Sequence, residues 1–130
     1  MPTIYGAPEG QDALLLIRRT KEHQGPLLHI ARDDNRMGRL ADLLAYFAPN
    51  LEVLRFSAWD CLPYDRASPN PATVADRIAT LARLLEPATG PRIVLTTVNA
   101  VLQRVPPRDA FAGHTLSVAT GGTLRPERLT

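Results

Sequence analysis

Short, almost continuous apolar runs alternate along this chain with segments whose apolar residues recur at helical spacing, and that alternation restricts the fold more than any other feature. The runs are Pro26 to Ala31 (PLLHIA), Leu51 to Phe56 (LEVLRF) and Arg92 to Thr97 (RIVLTT). Between the first two, Met37, Leu40, Ala41, Leu44, Phe47 and Ala48 form one helical stripe; between the second and third, Val74, Ile78, Leu81 and Leu85 form another. Runs without polar alternation suit strands covered on both faces, which is the condition of a parallel sheet. Parallel neighbours need crossovers, and right-handed crossovers put helices on both faces. The expected fold is therefore α/β: three layers, a mainly parallel sheet between helices.

Local signals mark the boundaries. Asp33 is placed to cap the helix carrying the Met37 stripe, and Pro49-Asn50 ends it. Thr73, with Asp76 three residues on, reads as the cap of the next helix. Val98 to Gln103 is expected as a short helix stopped by Pro106-Pro107. Upstream, Thr3 to Tyr5 is a β-like run ending at Gly6. A helix opens with Ala13 to Ile17 and closes at Gln24-Gly25-Pro26; its apolar residues on all sides predict burial on several sides. Near the end, His114 to Ala119 alternates like a half-exposed strand and Gly121-Gly122 turns the chain. Arg125-Pro126-Glu127 begins a helix that stops at Thr130, the pattern of a piece of something longer.

Composition excludes several classes. A formal charge of +2, from 15 basic against 13 acidic residues with no long basic run, gives no nucleic-acid stripe. Cys61, the single cysteine, excludes an internal disulfide and a CxxC metal site and suits a reducing cytosol. The longest apolar run, Ala13 to Ile17, is too short to cross a bilayer, and no signal peptide is evident, so the expected location is cytoplasmic, without a membrane partner.

The first strand-loop-helix of an α/β sheet is the usual phosphate site, because free N–H groups at the helix start point at an anion. A working loop reads GxxxxGK[ST]: glycines let the backbone wrap the phosphates, Lys neutralises them and the hydroxyl holds magnesium. Counted from Gly6, with Gly10 within the loop, Gln11 stands at the second glycine, Asp12 at the lysine and Ala13 at the hydroxyl. Exchanging a cation for an anion about 4 Å from a phosphate charge swings the interaction by roughly 8 kcal/mol at an effective dielectric near 20. The segment is either a degenerate phosphate loop or an ordinary turn, and both readings predict no triphosphate hydrolysis. No catalytic, cofactor-binding or metal-ligating residue follows from it.

Other candidates have plainer explanations. Asp33-Asp34 superficially resembles a Walker B carboxylate pair, but helix capping accounts for it. His23, His29 and His114 lack metal-pair spacing, and Cys61 has no neighbouring histidine to activate it. Trp59 and Tyr64 in the proline-rich segment from Ser57 to Ala72 could form a stacking platform for bases. The commoner arrangement has Trp59 and Leu62 tacking a long loop onto the sheet end. Arg32, Arg36, Arg39 and Arg66 could touch DNA but suit an ordinary surface.

Three stretches together carry a resemblance: Phe56 to Pro69 (FSAWDCLPYDRASP), Asp76 to Leu81 (DRIATL), and Ile93 to Pro107 with Asn99 to Arg104 (NAVLQR) inside. In combination they resemble the start of the bacterial transcription-repair coupling factors, the Mfd family, and the similarity runs from about Ile4 onward, including Gly113 to Leu116. In that family the N-terminal region is similar to the excision-repair helicase UvrB, but whereas UvrB has an intact phosphate loop, the family's region is implied to be a degenerate P-loop NTPase-like, helicase-like domain without ATPase motifs. The resemblance implies that residues 1–112 are domain 1a and residues 113–130 begin domain 2, the insertion that recruits UvrA. RNA polymerase and double-stranded DNA would be engaged further downstream, where ATP and magnesium would also bind. No cofactor is implied for this piece. The segment after Phe56 is too short for the DNA-clamping hairpin of UvrB.

The leading expectation is a non-catalytic scaffold module of a coupling factor, supporting UvrA recruitment in transcription-coupled nucleotide excision repair. The alternatives are a UvrB-type ATP-dependent helicase fragment that binds nucleotide and a stand-alone doubly wound nucleotide-binding domain. The latter lacks the acidic ribose ligand that follows a glycine fingerprint.

Overall fold

A computed structural model of the chain describes residues 3–61, 66, 68–111 and 120. Its elements run α1 (Gln11–Glu22), β1 (Leu27–Ala31), α2 (Asp34–Phe47), β2 (Glu52–Phe56), α3 (Pro71–Leu85), β3 (Arg92–Thr97) and α4 (Val98–Val101), then a single 3₁₀ turn at Arg108–Ala110. The strands make one parallel sheet in the order β1-β3-β2, with Leu28 and Leu54 both opposite Val94.

This order places the helices. From β1 the chain steps over one strand position to β2, then reverses to fill the gap with β3. Two right-handed crossovers in opposite directions must lie on opposite faces. Side-chain parity agrees: Leu27, Ala31, Val53, Ile93 and Leu95 join Met37, Leu40 and Leu44 of α2 in the core. On the other face Phe56, Glu52 and Arg92 meet Arg77 and Arg83 of α3. The expected three-layer α/β architecture is what the chain adopts. All of β3 is buried, as befits the middle strand.

Three local expectations are corrected. Thr3 to Tyr5 is not a strand, and Ile4 and Tyr5 are exposed, so nothing in the sheet pairs with this run. Helix α1 is not enclosed: only Ala13 and Thr20 are buried, Leu14 is exposed, and Leu16 and Ile17 rest on the core from outside. Helix α3 begins at Pro71, capped by Asn70, whose side chain accepts a bond from the Ala72 N–H at 2.9 Å. Proline suits the first turn because its missing N–H would have no intrahelical partner there. The Thr73–Asp76 pattern therefore falls inside the helix. The buried positions on α3 are Arg77 and Thr80, while Ile78 and Leu85 are exposed.

Residues 113–130, Thr120 apart, lie outside the described residues, and with them the second-domain boundary, the His114–Ala119 strand and the final helix start. Among the described residues, no helix is long and apolar enough to cross a membrane.

Candidate functional site at the carboxyl edge of the sheet

In open parallel sheets ligands bind beyond the carboxyl ends of the strands, so the connections leaving β1, β2 and β3 are where chemistry would sit. Strand β1 passes into α2 through Arg32 and Asp33 alone. Asp33 Oδ1 accepts the Arg36 N–H at 2.8 Å, and its Oδ2 accepts a bond from Arg32 Nε at 2.9 Å. The backbone bond from Arg36, reinforced by Arg32, holds this carboxyl below the usual aspartate range. A carboxylate thus occupies the place where a phosphate would meet the helix start. Strand β3 passes directly into α4, and the buried Thr97 hydroxyl accepts the Ala100 N–H at 3.3 Å. Both direct strand-to-helix junctions are closed by their own side chains.

The loop singled out in the sequence lies elsewhere. Gly6 and Gly10 take positive φ, 68° and 91°, and Gly10 stands at the start of α1, which precedes the first strand of the sheet. No strand of the sheet leads into this loop. Gln11 is exposed, and Ala13 is wholly buried in the core. Asp12 accepts the Ala13 N–H at 3.0 Å and pairs with Arg36 Nη2 at 2.7 Å. Glu9 lies 3.4 Å from both Arg36 and Arg39. The structure therefore brings Asp12 and Glu9 onto the arginines of α2 and leaves Gly6 apart from them. Half-exposed pairs of this kind contribute up to about 1 kcal/mol each.

The same pairs bear on the arginines considered for DNA. Arg32 is bonded to Asp33, Arg36 to Asp12 and Glu9, and Arg39 to Glu9, so three of those cations have internal counter-charges. Arg66 is exposed. His29, half-buried on β1, is held below its ordinary pKa by burial, with Asp12 opposing and Arg36 assisting. Among the described residues no cluster of three His, Cys, Asp or Glu side chains could hold a metal.

The third connection, after β2, is the elaborate one. Arg77 of α3 is 2% exposed, and its guanidinium lies between the rings of Phe56 and Trp59, 4.1 and 4.2 Å from their centroids. It donates to the Ser57 carbonyl and, at 3.2 Å, to Gln103 Oε1. That same oxygen accepts the Trp59 N–H at 2.9 Å. Among the described residues Arg77 has no carboxylate partner, and its Nε–H is unpaired. Burial lowers its pKa, though a guanidinium stays charged. Stacking on a desolvated ring is worth about 2 kcal/mol and each charged hydrogen bond about 1.5–3 kcal/mol, which together offset the cost of burying the cation. Ten residues on from Asp60, the Asn70 N–H meets both Asp60 carboxylate oxygens at 3.2 Å and closes the neck of the loop.

Packing thus accounts for Trp59, whereas Leu62, Tyr64 and Asp65 lie outside the described residues. Sequence reasoning missed Arg77 and Gln103, although both sit inside the motif stretches. The usable signal was spacing: Arg77 falls three residues after Val74, within the helical stripe, where a cation is out of place.

No protein-family model matches the chain, and no solved structure matches it. Curated relatives do. The chain is 32% identical over 117 residues to the transcription-repair-coupling factor of Escherichia coli (strain K12), covering 90% of this chain and 10% of that protein. It is 33% identical over 126 residues to the factor of Myxococcus xanthus, covering 91% and 10%. The factor of Mycobacterium bovis is 33% identical over 102 residues, covering 74% and 8%. The chain thus spans about a tenth of the length of the relatives it matches. The three stretches that converge on Arg77 are those that carried the resemblance, and the chain belongs to the N-terminal region of the transcription-repair coupling factor family.

Proposed function

We propose that this chain is a non-catalytic scaffold module of a transcription-repair coupling factor, acting in transcription-coupled nucleotide excision repair in the cytoplasm. Residues 1–112 form its domain 1a, and residues 113–130 lead into the insertion that recruits UvrA. RNA polymerase, double-stranded DNA, ATP and magnesium belong to later parts of the protein. One observation supports the non-catalytic reading: Asp33 caps the helix that follows the first strand of the described sheet, and its carboxylate fills the anion position at that helix start. The pairing of Asp12 with Arg36 supports it, since the anion at the lysine position of the first loop is engaged in holding α1 to α2.

Titrating labelled ATP against the chain, with magnesium, should give no saturable binding below millimolar concentration; micromolar affinity would refute the reading. Purified UvrA should bind a version extended through the following domain far more tightly than the chain alone. Equal affinity for both would remove the recruiting role from that domain.

A further inference from the structure

We propose that Arg77 is the positioning residue for the loop after β2: its guanidinium, held between Phe56 and Trp59 and bonded to Ser57 and Gln103, fixes Trp59 and so presents the neck of that loop in one conformation. The inference is independent of the scaffold reading. Arg77 projects from α3, Phe56 ends β2, and Gln103 follows α4, so one planar group joins three elements. Arginine suits this place because only a flat cation can stack on two rings while donating in its own plane to two acceptors. Lysine, a compact ammonium, can satisfy one ring or one carbonyl but not all four contacts. Gln103 completes the arrangement by accepting from Arg77 and from the Trp59 backbone through one oxygen. At the far end of the neck, the Asp60 carboxylate takes the Asn70 N–H, so residues 60 and 70 are tied independently of the clamp.

Trp59 is the single tryptophan of the chain, which gives the test a local readout. Arg77→Met, Arg77→Lys, Gln103→Met and Gln103→Glu would be compared with the parent by Trp emission and acrylamide quenching, well below each variant's melting temperature. Far-ultraviolet circular dichroism would be recorded alongside. The expectation for Arg77→Met and Gln103→Met is unchanged helix and strand content with a red-shifted emission and quenching that moves toward free tryptophan. Arg77→Lys should lie between them and the parent. Gln103→Glu keeps the acceptor oxygen and adds a charge facing Arg77, so it should leave Trp59 as shielded as in the parent. Should Arg77→Met fail to fold, Gln103→Met decides, because Gln103 is only half-buried. Parent-like quenching in Gln103→Met and Arg77→Lys would overturn the proposal, as would equal exposure of Trp59 in Gln103→Glu and Gln103→Met.

Discussion

Arg92 is a cation almost out of contact with water, 2% exposed, at the start of the middle strand. Its Nε donates to Glu52 Oε2 at 2.6 Å and its Nη1 to the carbonyls of Arg83 and Glu86 at 3.1 Å. Burial pushes the Glu52 carboxyl up, but bonds from Arg92 and Arg83 outweigh this and leave it below its ordinary value. Glu52→Gln removes the counter-charge of the buried guanidinium, which keeps its two carbonyl bonds, and urea unfolding should show a loss of about 3 kcal/mol, the low end for a broken buried pair because Glu52 keeps some water. Three shifted groups also set the acid response. His29 is lowered by burial, so the unfolded chain takes up its proton first; stability is full above about pH 6.5 and falls as pH drops from there to the folded value. Asp33 and Glu52 are lowered as well, so their contributions hold above about pH 4 and are lost as pH falls through that range. Melting temperature measured against pH should therefore decline in two stages, and His29→Gln should flatten only the upper one.

At the scale of elements, caps decide where helices start. Asp33→Ala should cost about 1 kcal/mol in urea unfolding, and Asp33→Asn much less, since the amide oxygen can still accept from Arg36. This cap was legible in the sequence, as was β3 with the same limits, because a run of β-branched and aliphatic residues with no polar alternation leaves few other options. The start of α3 was not legible: Asn70-Pro71 and Thr73 both satisfy cap chemistry, and the choice between them rests on the tie between Asp60 and Asn70, a contact across the loop. Nor was the inward face of α3. Its apolar stripe proposed Ile78, but Arg77 and Thr80 turn inward because Phe56, Trp59 and the Arg55 carbonyl, which accepts from the Thr80 hydroxyl at 2.7 Å, are there to receive them. Thr3 to Tyr5 had strand-like residues but no neighbour in the sheet to pair with.

On the scale of the whole molecule, the described residues cover the sheet unevenly. Among the described residues strand β1 is an edge, and its Leu28 and Ile30, 57% and 47% exposed, face the side where α3 packs on β2. An exposed apolar edge is a template for self-association. Ile30→Lys should reduce concentration-dependent light scattering while changing stability by no more than about 0.5 kcal/mol, as surface changes usually do.

The strand order has a further consequence for synthesis. The middle strand is the last of the three to leave the ribosome, so β1 and β2 both emerge before the strand that each pairs with in the folded sheet. Until Thr97 clears the exit tunnel, neither strand can form its native pairing along its full length. Assembly then waits on contacts distant in sequence, which makes it slow and leaves two bare strands open to capture by a chaperone.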